Sequence, residues 1–89
     1  MTDETTSVIH HTRKIVLAPG RTASTRKSSL LKRHTFKVEE LVLLWHDDQE
    51  PINVTAHGHY INKHDQKIHC RRVYELATAP KWIKEAVNG

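Results

Sequence analysis

Residues 52–76, INVTAHGHYINKHDQKIHCRRVYEL, are the stretch on which the fold turns. Every second residue from Ile52 (Ile52, Val54, Ala56, Gly58, Tyr60) is apolar or small, while Asn53, Thr55, His57 and His59 between them are polar. The alternation returns as Ile68, Cys70, Tyr74 and Leu76 against Lys67, His69, Arg71 and Glu75. A period of two marks half-buried strands, because successive side chains leave a strand on opposite sides. Turn-formers cluster in residues 62–66, so the two strands make a hairpin. A loop of three residues (63–65) or five (62–66) sets Tyr60 opposite Ile68, Gly58 opposite Cys70 and Val54 opposite Tyr74. An even loop would oppose apolar to polar side chains throughout. The odd loop pairs His59 with His69 and His57 with Arg71 on the outer face. Arg72 breaks the pattern: it falls inward, opposite Ala56, where a bulge, an end of the core or a buried ion pair would put it.

The inner face of this hairpin needs a cover, and the flanking sequence offers two helices. Thr35 can cap a helix from about Phe36 to Asp47, with Glu39 and Glu40 in the first turns where the dipole favours them. Val38, Leu41, Val42 and Trp45 fall at i, i+3, i+4 and i+7, a helical stripe. The competing reading makes residues 41–45 a buried strand; length favours the helix. Pro51 cannot continue it. Downstream, Thr78-Ala79-Pro80 reads as a helix start, Trp82, Ile83, Ala86 and Val87 as its apolar side, and Asn88-Gly89 as its stop. Residues 8–17 alternate loosely and predict a strand ended by Pro19-Gly20, able to join the hairpin as a third strand. Residues 21–29 have no apolar period and read as loop or disordered arm. The expected fold is thus a small α+β domain. An antiparallel hairpin packs against two short helices, with a basic arm (1–34) before a compact α-β-β-α core (35–89).

Composition bounds the rest. Eighty-nine residues with 37% hydrophobic side chains and only five Phe, Trp or Tyr make one domain with a thin core. A chain of this size buries roughly 60–65% of its unfolded surface, and homodimerisation is a common remedy. The single cysteine, Cys70, excludes an intramolecular disulfide framework and suits a reducing, cytoplasmic setting. On the inner face it predicts a buried, inert thiol rather than a nucleophile. No apolar run approaches the length of a membrane span. No Gly-rich phosphate loop, nucleophile elbow or HExxH pattern occurs, so a non-enzymatic role without cofactor or metal is expected.

The informative feature is where the charge lies. The net charge of +4 conceals a segment, residues 13–37, with eight Lys or Arg and no Asp or Glu: Arg13, Lys14, Arg21, Arg26, Lys27, Lys32, Arg33 and Lys37. From Val38 onward six basic residues face eight acidic ones. Lys and Arg neutralising phosphates are the first requirement of nucleic-acid binding, and Thr22, Ser24, Thr25, Ser28 and Ser29 add hydroxyl donors. Lys67 and Arg71, with His57, His59 and His69, could extend that surface along the hairpin. No complete recognition motif accompanies them. The expectation is a small nucleic-acid-binding protein, DNA ahead of RNA, with transcription regulation as its purpose. A solvated basic tail is the bland alternative. A second is a protein-binding module or inhibitor, docking a partner or a second copy through Leu43 and Leu44 on an apolar helix face. A third is zinc held by His57, His59 and His69, although no Asp or Glu is evident on that face to orient them.

Overall fold

A computed structural model describes residues 10–25, 33–47 and 49–89. It is an antiparallel sheet with one short helix on one face, not a hairpin packed on two helices. Among the described residues the elements are β1 (His10–Val16), β2 (Thr22–Ser24), β3 (Thr35–His46), β4 (Gln49–Ile61), β5 (Lys67–Glu75), a 3-10 turn at Leu76–Thr78 and α1 (Lys81–Asn88). The order across the sheet is β1-β3-β4-β5, with β2 also on β3. β1 and β2 form one interrupted edge strand along β3: His10–Val16 lies against residues 46–40, and Thr22–Ser24 against residues 37–35. Pro19-Gly20 interrupts it, with Gly20 at φ +127°, where a side chain is strained. Leu17 N–H still reaches the Glu39 carbonyl (3.0 Å), and the Arg21 carbonyl accepts from Val38 N–H (2.9 Å). The strand expected over 8–17 therefore exists, but its neighbour is β3 rather than the hairpin. The stretch read as loop or disordered arm supplies β2.

The expected helix at residues 36–47 is β3, and a β-bulge explains the misreading. Val38 pairs with Gly58 and Glu40 with His57, leaving Glu39 as an extra residue. One inserted residue reverses the alternation. Phe36 and Val38 are buried before the bulge, Leu41 and Leu43 after it. The step from Val38 to Leu41 thus imitates the i, i+3 spacing of a helix. Val42, placed in the helical stripe, is only half-buried on the opposite face. The strand reading of residues 41–45, set aside on length, describes that segment correctly. Across the bulge the chains approach so closely that a Cβ on Gly58 would lie 1.7 Å from the Lys37 carbonyl oxygen.

The β4–β5 register is the expected one in every pair named above. Asn62 N–H bonds the Gln66 carbonyl (3.0 Å), and Asp65 adopts the left-handed conformation (φ 61°). That makes a three-residue loop of the type in which an αL residue closes the turn. The Asn62 side-chain oxygen fixes it by accepting from the backbone N–H of His64 and Gln66, both at 2.9 Å. At the other end of the sheet, His46 pairs with Gln49 and Leu44 with Asn53, so β4 carries extra residues there. Pro51 lies within this irregularity, where a missing N–H disturbs no ladder.

The inner face carries the core: Phe36, Val38, Leu41, Leu43, Val54 and Ala56, with Ala23 from β2 and Ile83 from α1. The expected apolar side of α1 is the side that packs, with Ile83 fully buried and Trp82, Ala86 and Val87 half-buried. Pro80 occupies its N-cap position; Thr78, expected to cap, lies in the preceding 3-10 turn. The sheet is coiled around this core. Arg72 on β5 donates from Nη1 to the Ser24 carbonyl on β2 (2.9 Å), although β3 and β4 intervene. Three strand intervals span about 14 Å in a flat sheet, beyond one arginine side chain. Among the described residues, Arg72 therefore sits at no bulge and in no ion pair. Its guanidinium crosses the concave face above small Ala56 and lies 5.4 Å from the Tyr74 ring centroid. No described helix is long and apolar enough to cross a membrane.

Candidate nucleic-acid interface

The outer face opposite α1 is laid out by register. One cross-strand row reads Thr22–Lys37–His59–His69, the next Glu40–His57–Arg71, and beyond the first Ile61 pairs with Lys67. Adjacent strands are about 4.8 Å apart, so these side chains crowd one surface. Lys37, Lys67, His69 and Arg71 are exposed, while His57 and His59 are half-buried.

Topology gathers more charge at the same end. β3 begins beside the end of β4, so the β2–β3 connection and the β4–β5 turn emerge together. Thr25 N–H bonds the His34 carbonyl (2.8 Å), and the His34 ring stacks on Tyr60 with centroids 4.6 Å apart, closing the base of the first loop against β4. Exposed Arg33 and, on the neighbouring turn, exposed Lys63 and His64 stand at this end. Asp65 and Glu39 are the acids near them. The opposite end is acidic, with Asp47 at the β3–β4 turn and Glu75 at the end of β5.

The ten sequence-predicted contacts therefore separate. Lys37, Lys67 and Arg71 share the outer face. Lys14 lies on the same face but nearer the acidic end, 3.4 Å from Glu40. Arg13 points to the helix side, where its Nη1 donates to the Val87 carbonyl (3.2 Å) at the end of α1, a favourable place for a cation. Arg21 lies 5.5 Å from the Trp82 ring centroid. Arg33 is exposed beside the β2–β3 connection, and Arg26, Lys27 and Lys32 lie outside the described residues. Lys63 and His64 were missed by charge counting along the chain; the odd hairpin loop already placed them at the tip.

Glu39 was also missed, because a helix would have turned it away from the hairpin. The bulge brings its Oε1 to 3.2 Å from His59 Nδ1. The contact with His59, helped by the charges of His59, Lys67 and His69, holds the Glu39 carboxyl below its ordinary 4.5. A carboxylate with a depressed folded pKa stabilises above its unfolded value, and that contribution disappears as pH falls through the folded value. Wild type should therefore melt slightly higher than Glu39→Gln above about pH 4.5. The gap should close below that pH, as read by thermal melts of both proteins across pH 2.5–7. The effect is small because Glu39 is exposed.

The other expected features fall as follows. His59 and His69 are paired and His57 is next on β4, but among the described residues no three His, Cys, Asp or Glu come together in a group able to hold a metal ion. Leu43 and Leu44 cannot form one docking patch, since Leu43 is buried and Leu44 is on the outer face, 38% exposed. Cys70 is half-buried, its Sγ 3.7 Å from the Ile68 carbonyl, and burial pushes its thiol pKa up. Comparison with family models, with curated proteins and with solved structures finds no match.

Proposed function

We propose that this protein binds nucleic acid, DNA ahead of RNA, through the basic end of its outer sheet face, and does so without catalysis. The observation that carries the reading is the convergence of Lys37, Lys67 and Arg71 on one exposed face beside the turn bearing Lys63 and the connection bearing Arg33. Point charges on an uncovered antiparallel surface suit a phosphate backbone, which needs cations and little shape. Arg26, Lys27 and Lys32 fall in sequence between β2 and β3 without an acid among them, and in this reading they add phosphate contacts. His57, His59 and His69 lie between the fixed cations and add ring nitrogens able to hydrogen-bond phosphate. Arg13 and Arg21, engaged by α1, contribute less than the sequence suggests. Transcription regulation in the cytoplasm fits a small basic module with a single, half-buried cysteine.

Fluorescence anisotropy with labelled duplex DNA and single-stranded RNA, at two salt concentrations, tests the reading. Contact with four or more phosphates gives a log–log salt slope steeper than about −3. Lys37→Glu with Lys67→Glu should weaken binding more than about tenfold, since both change the sign of a phosphate contact. Absence of binding to either polymer at low salt would end the proposal.

A further inference from the structure

β5 ends the sheet, and among the described residues no strand pairs with its outer edge. Hydrogen bonding alternates along an antiparallel ladder. Because Asn62 bonds Gln66, residues 68, 70, 72 and 74 bond toward β4, and Lys67, His69, Arg71, Val73 and Glu75 direct their N–H and C=O groups outward. Beside this edge runs a groove of about 740 Å³ lined by Arg72, Val73, Tyr74 and Glu75, together with Thr78 and Pro80. Four consecutive strand residues lining one groove place it along the edge rather than on a face. Val73 at its centre is 47% exposed, unusual for a valine on a strand.

The charges select the occupant. A lysine-rich edge ordinarily discourages pairing, and Lys67, His69 and Arg71 would do so here. A two-fold axis at His69 opposes Lys67 to Arg71, and one at Arg71 opposes that arginine to itself. An axis at Val73 opposes Arg71 to Glu75 of the second copy and Glu75 to its Arg71, with valine against valine between them. The same register sets Arg72 opposite Tyr74 of the second copy, repeating the cation–ring contact already made within the chain. It joins residues whose N–H and C=O groups both point outward, so the ladder closes. The Glu75 carbonyl, which accepts from Thr78 Oγ1 at 3.4 Å, keeps a second lone pair for the terminal bond.

We propose that the chain forms a symmetric dimer in which β5 pairs antiparallel with β5 of a second copy about Val73, extending the sheet across both. The less basic halves then meet at the axis, and the two β4–β5 turns stand about 45 Å apart at the far ends. Arg71 is shared with the proposed phosphate surface, so the test of the dimer uses the full chain without nucleic acid.

Light scattering after size exclusion, at roughly 100 µM chain, reads the mass directly; thermal melts confirm that each variant folds. Wild type should have the mass of two chains. Glu75→Arg opposes like charges at both ends of the ladder and should weaken the dimer by at least about tenfold, giving a monomer on dilution. The double variant Arg71→Glu with Glu75→Arg exchanges the partners and should restore it. A monomeric wild type, a dimer untouched by Glu75→Arg, or a charge exchange that fails to restore association would each overturn the proposal. The first of these would leave the edge for a strand of a different protein.

Discussion

Gly58→Ala should destabilise the protein by about 3 kcal/mol, and thus lower its melting temperature by roughly 15 °C. The cause is local and geometric. Glu39 is the extra residue of the β3 bulge, and the displaced backbone sets the Lys37 carbonyl against the Cα of Gly58. A methyl group there would lie 1.7 Å from that oxygen, 2.7 Å from its carbon and 3.0 Å from the Phe36 ring. Backbone cannot rotate aside as the tip of a lysine could, so β3 and β4 must separate beside the bulge. Ala at Thr55, on the outer face of the same strand, is the control and should change stability by less than about 0.5 kcal/mol. Chemical denaturation of the three proteins measures the difference. A Gly58→Ala protein as stable as wild type would mean that the bulge is not where it is described.

Phe36→Ala should cost more still, about 4 kcal/mol, the middle of the range for emptying a buried aromatic site. Phe36 is the largest fully buried side chain, 1% exposed, between β2 and β4 on the concave face. A thin core has little apolar matter with which to fill the space, so collapse recovers little of the loss. Val42→Ala is the informative companion. A helix over 36–47 would bury Val42 in its stripe and leave Phe36 at its frayed start; the strand buries Phe36 and leaves Val42 half-exposed. Urea titrations should therefore show Phe36→Ala near or past the limit of folding and Val42→Ala within about 1 kcal/mol of wild type. The reverse order of effects would restore the helix.

These two residues also show what could be read from the sequence. The β4–β5 hairpin was legible to the single pair because both faces differ chemically along its length and only an odd loop aligns them. β3 was not, because the bulge at Glu39 shifts the alternation by one and a shifted period of two resembles a helical stripe. β2 is three residues, Thr22, Ala23 and Ser24, too short for any period to show. Its strand character comes from β3, which offers it an edge. The charge asymmetry was visible in the chain, but its destination was not. Arg13 and Lys14 are neighbours in sequence, yet they leave β1 on opposite faces, one toward α1 and the other toward Glu40. Only with β3 in the sheet do Lys37, Lys67 and Arg71 fall on one surface.

Backbone amide NMR during titration with a short duplex DNA shows whether that surface is where nucleic acid lands. Signals of Lys37, His59, Lys67, His69 and Arg71, with Lys63 and His64 at the turn, should shift progressively and recover as salt is raised. Trp45, Asp47 and the α1 residues Ile83 and Ala86 should stay in place. Shifts confined to the acidic end or to α1, or a spectrum unchanged by excess DNA at low salt, would contradict it.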